Sequence, residues 1–405
     1  MTIAPELMSD SIDTRLLGRL GKLNEDQLKI VMHGSGPLLV IAGPGSGKTE
    51  CLTLRAMNLL LLEKAKLSEL VVCTYTEKAA FEMQDRLAEI ANTVGYHLDI
   101  SQMRFGTIHG ICNRLIAENL HRVPYTDDRR PSIGNNYGTL DGLSQRLFIF
   151  EHLKEICGNY VQFFVDHWKT GWHASKQFQA HFDKITEELV EVKELLAQRD
   201  TFFRCLANTY RNYQELLAKY NLVDFAHLQK IMYGLLRDPG TAHFIQKEIR
   251  YIMVDEYQDT NYIQEQILIK LAAKTQNICV VGDEDQSLYR FRGATVQNIR
   301  RFEQIYKIHR DEIVSLATNY RSHPDIIDIY NNWINSTNWF DFRADKWIQP
   351  EPGKAFETYP AVFSLLGLEA EDEASQIAEF VAFLKERSKI SDFNRVALLL
   401  HSVKE

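Results

Sequence analysis

Cysteine, proline and long apolar runs are all sparse in this chain. Its 405 residues hold six cysteines, at 51, 73, 112, 157, 205 and 279, with no Cys-x-x-Cys among them. That pattern gives neither a disulfide framework nor the ligand spacing of a zinc or iron–sulfur site. Apolar runs such as Leu59-Leu60-Leu61-Leu62 fall far short of the roughly 20 residues that cross a bilayer. The opening Met1-Thr2-Ile3-Ala4-Pro5-Glu6 has no basic stretch leading into an apolar core. A reducing, cytoplasmic location without membrane association is therefore expected. Positive charge is in deficit too, with 46 Lys and Arg against 54 Asp and Glu and a net charge of −8. Any contact with nucleic acid must then come from a local groove rather than a surface-wide field. Internal repeats and low-complexity tracts are also missing.

What is present is enough hydrophobic sequence, 45% of the chain, for two or three packed domains. The most informative stretch is Leu38-Leu39-Val40-Ile41-Ala42-Gly43-Pro44-Gly45-Ser46-Gly47-Lys48-Thr49. A buried strand runs into a turn with glycine at alternate positions, where backbone N–H groups can converge on phosphate oxygens. Lys48 would reach the β- and γ-phosphates of a nucleoside triphosphate, and Thr49 would ligate Mg²⁺. A helix after Thr49 adds its positive N-terminal end. A relaxed feature is Ala42, where the motif usually opens on glycine.

A second apolar run, Tyr251-Ile252-Met253-Val254, ends in Asp255 and Glu256. As a buried parallel strand it would deliver both carboxylates to the same end of a sheet. Asp255 then holds the metal, and Glu256 orients and deprotonates the attacking water. A third segment, Gly282-Asp283-Glu284-Asp285-Gln286-Ser287-Leu288-Tyr289-Arg290-Phe291-Arg292-Gly293-Ala294, follows another short strand. Gln286 can reach a γ-phosphate or its water. Tyr289 and Phe291 offer stacking faces to unpaired bases, with Arg290 and Arg292 beside them for phosphates; packing in a core with local ion pairs is the alternative for these four.

Strands are expected at Leu38–Ala42, Leu70–Thr74, Tyr251–Asp255, Ile278–Gly282, Ile313–Leu316 and Val396–Leu400. Between Thr107 and Tyr220 the pattern turns helical and charged.

These blocks resemble the UvrD/Rep-type group of superfamily 1 helicases. The likeness rests on Leu23-Asn24-Glu25-Asp26-Gln27, the glycine turn, Thr74 to Ala80, Gly106-Thr107-Ile108-His109, Leu222-Val223-Asp224-Phe225, Asp255 to Asp259, the Gly282–Ala294 block and Asn319-Tyr320-Arg321-Ser322, in the family's order. It implies an α/β fold: a RecA-like P-loop NTPase domain (1–106 and 221–290), a helical insertion (107–220) and a partial second RecA-like domain (291–405). It implies ATP and Mg²⁺ as cofactors and translocation 3′ to 5′ on single-stranded DNA, with duplex junctions as substrates. Gln27 would read the adenine edge, Tyr320 stack on the base and Arg321 reach the γ-phosphate from the second domain. Tyr75 and His109 would line the DNA path.

Local alternatives stand beside these roles. Asn24 and Gln27 also make a capping box, His109 also suits a core, and Tyr75 also suits packing. Glu50 replaces an arginine common after the phosphate-loop threonine, and Glu77 replaces an asparagine. The family's later blocks, including a second catalytic arginine, do not occur before Glu405. Two expectations follow: an ATP-dependent helicase, or a truncated or split-gene half that binds ATP and DNA and takes its missing blocks from a partner chain.

Overall fold

The computed structural model describes residues 16, 18–122, 133, 134, 136–168, 170–286, 297–336, 343, 346–356 and 361–399. Strands β1 (Leu38–Ala42), β2 (Leu70–Thr74) and β3 (Arg104–Thr107) come first, then β4 (Gly138–Leu140) and β5 (Leu222–Asp224). β6 (Tyr251–Val254), β7 (Ile278–Gly282) and β8 (Val314–Leu316) follow. Six of them form one sheet in the order β3-β2-β6-β7-β1-β8, with every neighbouring pair parallel.

Successive side chains of a strand point to opposite faces, and here both faces are covered. Leu39, Ile41, Val71, Cys73, Ile252, Val254, Ile278 and Val280 enter one core, shared with the helices Ile108–Asn119, Phe225–Arg237 and Tyr262–Ala272. Leu38, Val40, Leu70, Val72, Met253, Cys279 and Val281 enter the other, with Glu25–Met32, Lys48–Leu61 and Glu77–Val94. Burial on both sides explains why these strands read as unbroken apolar runs. The helix Glu77–Val94 shows the complementary logic. Its buried Ala80, Met83, Leu87, Ile90, Ala91 and Val94 recur at helical spacing, and Thr76 caps its start by accepting from Ala79 N at 3.1 Å.

A third core belongs to helices between Gly142 and Lys219, built on Phe148, Phe164, Trp168, Phe178, Phe182, Tyr210 and Tyr213. Asp224, fully buried at the end of β5, ties this body to the helix Phe225–Arg237. It accepts from Tyr213 Oη at 2.6 Å, Gln145 Nε2 at 3.3 Å and His227 N at 2.7 Å, and faces His227 Nδ1 at 2.9 Å. Those partners hold its carboxyl below the ordinary range although burial opposes them.

Two sequence expectations need correction. The strand expected at Ile313–Leu316 falls inside the expected 291–405 unit, yet β8 hydrogen-bonds to the open edge of β1, with Val40 opposite Val314 and Ala42 opposite Leu316. Only after Ala317 does the chain leave this sheet, as β9 (Thr318–Asn319), which pairs with β10 (Gln349–Pro350). The strand expected at Val396–Leu400 is also not formed among the described residues: no neighbouring strand offers a ladder, and Leu398 and Leu399 are 65% and 95% exposed.

Candidate functional site

The turn after β1 folds tightly enough to expose its own amides. Gly45 and Gly47 have φ of +66° and +84°, left-handed conformations that glycine adopts without Cβ strain. Ser46 Oγ donates to Gly43 O at 2.7 Å, closing the loop on itself. The loop is also packed from outside. A Cβ on Gly43 would strike the Ile348 side chain, and one on Gly45 would lie 2.7 Å from Asn319 Oδ1 and 2.9 Å from Arg321 Cβ. The helix Lys48–Leu61 then begins with no side chain capping it, so its first N–H groups remain available to an anion.

Opposite the loop stands the acid pair. Asp255 follows β6 directly and Glu256 takes a left-handed φ of +51°, a conformation that costs a non-glycine residue about 1–2 kcal/mol. Lys48 Nζ donates to Glu256 Oε2 at 3.3 Å across 208 residues of sequence. Gln258 Nε2 donates to the same oxygen at 2.8 Å, and Glu256 N donates to Asp255 Oδ1 at 3.0 Å. Burial, then the neighbouring Glu256 charge, pushes the Asp255 carboxyl up to about 7 against the pull of Lys48. Asp259 is raised to about 7 for the same reasons. One ammonium is thus set against three carboxyls, an excess of negative charge that a divalent cation would offset. Thr49 and Asp255 are hard oxygen donors of the kind Mg²⁺ takes. No group of three or more His, Cys, Asp or Glu capable of holding a metal exists among the described residues. A cation here would complete its shell from phosphate and water.

Pro44, Gly45, Ser46, Gly47, Lys48, Thr49, Glu256, Gln286 and Arg321 line one cavity, joined by Glu50 and Arg86. A contiguous pocket is walled by Gln27, Tyr320 and again Arg321. Ala42, buried at the end of β1, supports the loop without facing the cavity. Gln27 completes the capping box with Asn24, and its amide donates to Ser46 O at 3.1 Å, which ties the start of its helix to the glycine turn. Tyr320 accepts from Asn24 Nδ2 at 2.8 Å through its hydroxyl, and its N–H donates to Gly45 O at 2.9 Å. Asn319 Oδ1 accepts from Arg321 N and Ser322 N at 2.7 and 2.8 Å, fixing the turn that carries the arginine. Gln286 donates through Nε2 to Asp283 Oδ2.

Tyr75 and His109 line a separate cavity that shares only Glu256 with the first. Burial pushes the His109 ring down to about 4 despite Glu77 nearby, and Phe225 lies with its ring 5.2 Å from it. Tyr289, Phe291 and Arg292 fall outside the described residues. Sequence reasoning missed Arg86, which contributes a cation from the helix Glu77–Val94 and lies 3.8 Å from Glu50; an arginine on an exposed helix face gives no signal of its own. It also gave no role to Gln258 or Asn319, although each lies inside a matching block.

Residues 23–307 match the UvrD/REP helicase N-terminal domain. Among curated proteins, the ATP-dependent DNA helicase UvrD1 of Mycobacterium tuberculosis is 29% identical over 391 residues, 94% of this chain and 47% of that protein. The ATP-dependent DNA helicase PcrA of Bacillus subtilis is 32% identical over 321 residues, 79% of this chain and 40% of its own length. A probable DNA helicase II homolog of Rickettsia felis is 31% identical over 318 residues, 78% of this chain and 45% of that protein. The chain therefore spans about half the length of the curated relatives it matches. No described helix is long and apolar enough to cross a membrane.

Proposed function

The chain belongs to the UvrD/REP helicase family, and on that footing we propose that it binds MgATP in the cavity between the glycine turn and the Asn319–Arg321 segment. Hydrolysis there drives 3′-to-5′ movement on single-stranded DNA in the whole motor. The observation that carries the reading is the meeting of Lys48 and Glu256 at 3.3 Å, with Gln286 and Arg321 facing the same cavity. Lys48 takes the β- and γ-phosphates, and Thr49 with Asp255 holds Mg²⁺. Glu256 orients the water and accepts its proton, and Gln286 and Arg321 stabilise charge on the transferred phosphoryl group. Gln27 and Tyr320 hold the base on the other side of Arg321. Before nucleotide binds, the Lys48–Glu256 pair keeps each charge compensated; phosphate displaces the carboxylate from the lysine and frees it for water. Single-stranded DNA runs past Tyr75 and His109, whose uncharged ring suits stacking on bases. The unit carrying β9 and β10 is the start of a second RecA-like domain.

Two variants test the reading. Lys48→Ala is expected to abolish MgATP binding measured with a fluorescent analogue. Glu256→Gln is expected to keep binding while lowering phosphate release stimulated by single-stranded DNA about 10²–10⁴-fold. Unchanged binding in the first, or unchanged turnover in the second, refutes it.

A further inference from the structure

Directly after β7 the chain places three consecutive acids, Asp283, Glu284 and Asp285, in a buried position. Their counter-charges come from far along the sequence. Lys346, whose side chain is 1% exposed, donates to Asp283 Oδ1 and lies 3.0 Å from Asp285 and 3.5 Å from Glu284. Arg343 Nε donates to Asp285 Oδ1 at 2.8 Å, and its Nη2 donates to Lys346 O at 3.1 Å. Tyr330 donates its hydroxyl to the other Asp285 oxygen. Among the described residues two cations, Lys346 and Arg343, face these acids in an almost entirely buried cluster, where loss of either leaves charge uncompensated.

The acids are not merely neutralised, because Asp283 leads to the proposed reaction centre by two routes. Its Oδ2 accepts from the Gln286 amide, the group that faces the phosphate cavity. Its backbone N–H donates at 2.9 Å to Gln258 Oε1, whose own amide donates at 2.8 Å to Glu256. A glutamine amide turned by either bond changes where its donors point; Lys346 is the charge that fixes the Asp283 carboxylate, on which the first route depends directly and which anchors the residue whose backbone N–H begins the second. Lys346 in turn rides on the segment that continues through Ile348, packed on Gly43, into β10.

We infer that Lys346, braced by Arg343, is a positioning residue for ATP hydrolysis: it holds Asp283 so that Gln286 and, through Gln258, Glu256 are aimed at the γ-phosphate and water, and it ties their aim to the segment leading into β10. The inference rests on the nucleotide reading above. Because Lys346 is not among the residues that line the phosphate cavity, its loss should leave binding intact and damage turnover.

The test compares K346M, K346R, Q286A and the K346M/Q286A double variant in the full chain, reading MgATP affinity, phosphate release at saturating ATP and single-stranded DNA, and thermal melting. K346M should lower turnover about 10- to 100-fold with affinity within about threefold of the parent. K346R should recover most of that loss, and the double variant should lose less than the product of the two single effects, because part of the action of Lys346 runs through Gln286. Wild-type turnover in K346M, a parallel fall in affinity, or effects of K346M and Q286A that multiply would each overturn the clamp. Should K346M not melt cooperatively, R343M is measured instead, since it leaves Lys346 on Asp283; a turnover loss at constant affinity supports the clamp and unchanged turnover overturns it. If the parent chain does not bind MgATP, or binds it equally with Lys48→Ala, it is the nucleotide reading that has failed.

Discussion

Gly45→Ala is a sharp perturbation because the structure specifies two separate costs. The first is backbone: at φ +66° an alanine is strained by about 1–2 kcal/mol. The second is contact. The new Cβ would sit 2.7 Å from Asn319 Oδ1 and 2.9 Å from Arg321 Cβ, so Asn319 must swing away. It then gives up the bonds it accepts from the Arg321 and Ser322 amides, each worth about 0.5–1.5 kcal/mol. Together the variant should lose about 2–5 kcal/mol of stability, and MgATP affinity should fall as Arg321 is displaced. Gly234→Ala is the control. Gly234 lies in the helix Phe225–Arg237, and a Cβ there would meet nothing within 4 Å, so alanine should add about 0.8–1 kcal/mol. Urea unfolding at matched slopes reads both. Midpoints that shift in the same direction, or a Gly45→Ala midpoint equal to that of the parent, would refute the argument.

Removing Asp224 should be costly in another way. Asp224→Ala leaves His227, Tyr213 and Gln145 without their buried acceptor and should destabilise by about 3–5 kcal/mol; a urea midpoint unchanged from the parent would sink this. The pH dependence follows from the raised carboxyls: Asp255, Asp259 and Asp183 at about 7 and Glu187 at about 8. Their folded values exceed the unfolded ones of about 4, so the folded state binds more protons between the two. Without nucleotide and metal, stability should therefore rise as pH falls from about 8 toward about 5. Asp224 and Asp285 are held low, and their contribution is lost only below about pH 4. A midpoint that instead falls steadily from pH 8 to 5 would contradict these assignments.

The central sheet was legible because burial on both faces writes itself as apolar runs: β1, β2 and β7 match their expected bounds, and β6 ends one residue early. β3 was not, since Arg104-Phe105-Gly106-Thr107 is held at the sheet edge by Val71 to Thr74 opposite it rather than by its own composition. β4 and β5 were missed for the same reason, each three residues long and formed only by pairing with the other. In the site, Lys48, Thr49, Asp255 and Glu256 are written in local motifs with strands before them. Lys346 is invisible to such reading, because its meaning comes from acids 63 residues away. The misplaced boundary at 291 has the same origin: which sheet claims a short apolar strand is decided by a free edge, here that of β1, and not by the strand.

That strand has a mechanical consequence. Between the last residue of β8 and the first of β9 stands Ala317 alone, and Arg321 follows five residues after Leu316. A chain that short spans at most about 17 Å when drawn straight. The arginine is thus on a leash anchored beside the nucleotide, and motion of whatever lies beyond it must take the form of swivelling about a fixed root rather than departure and return.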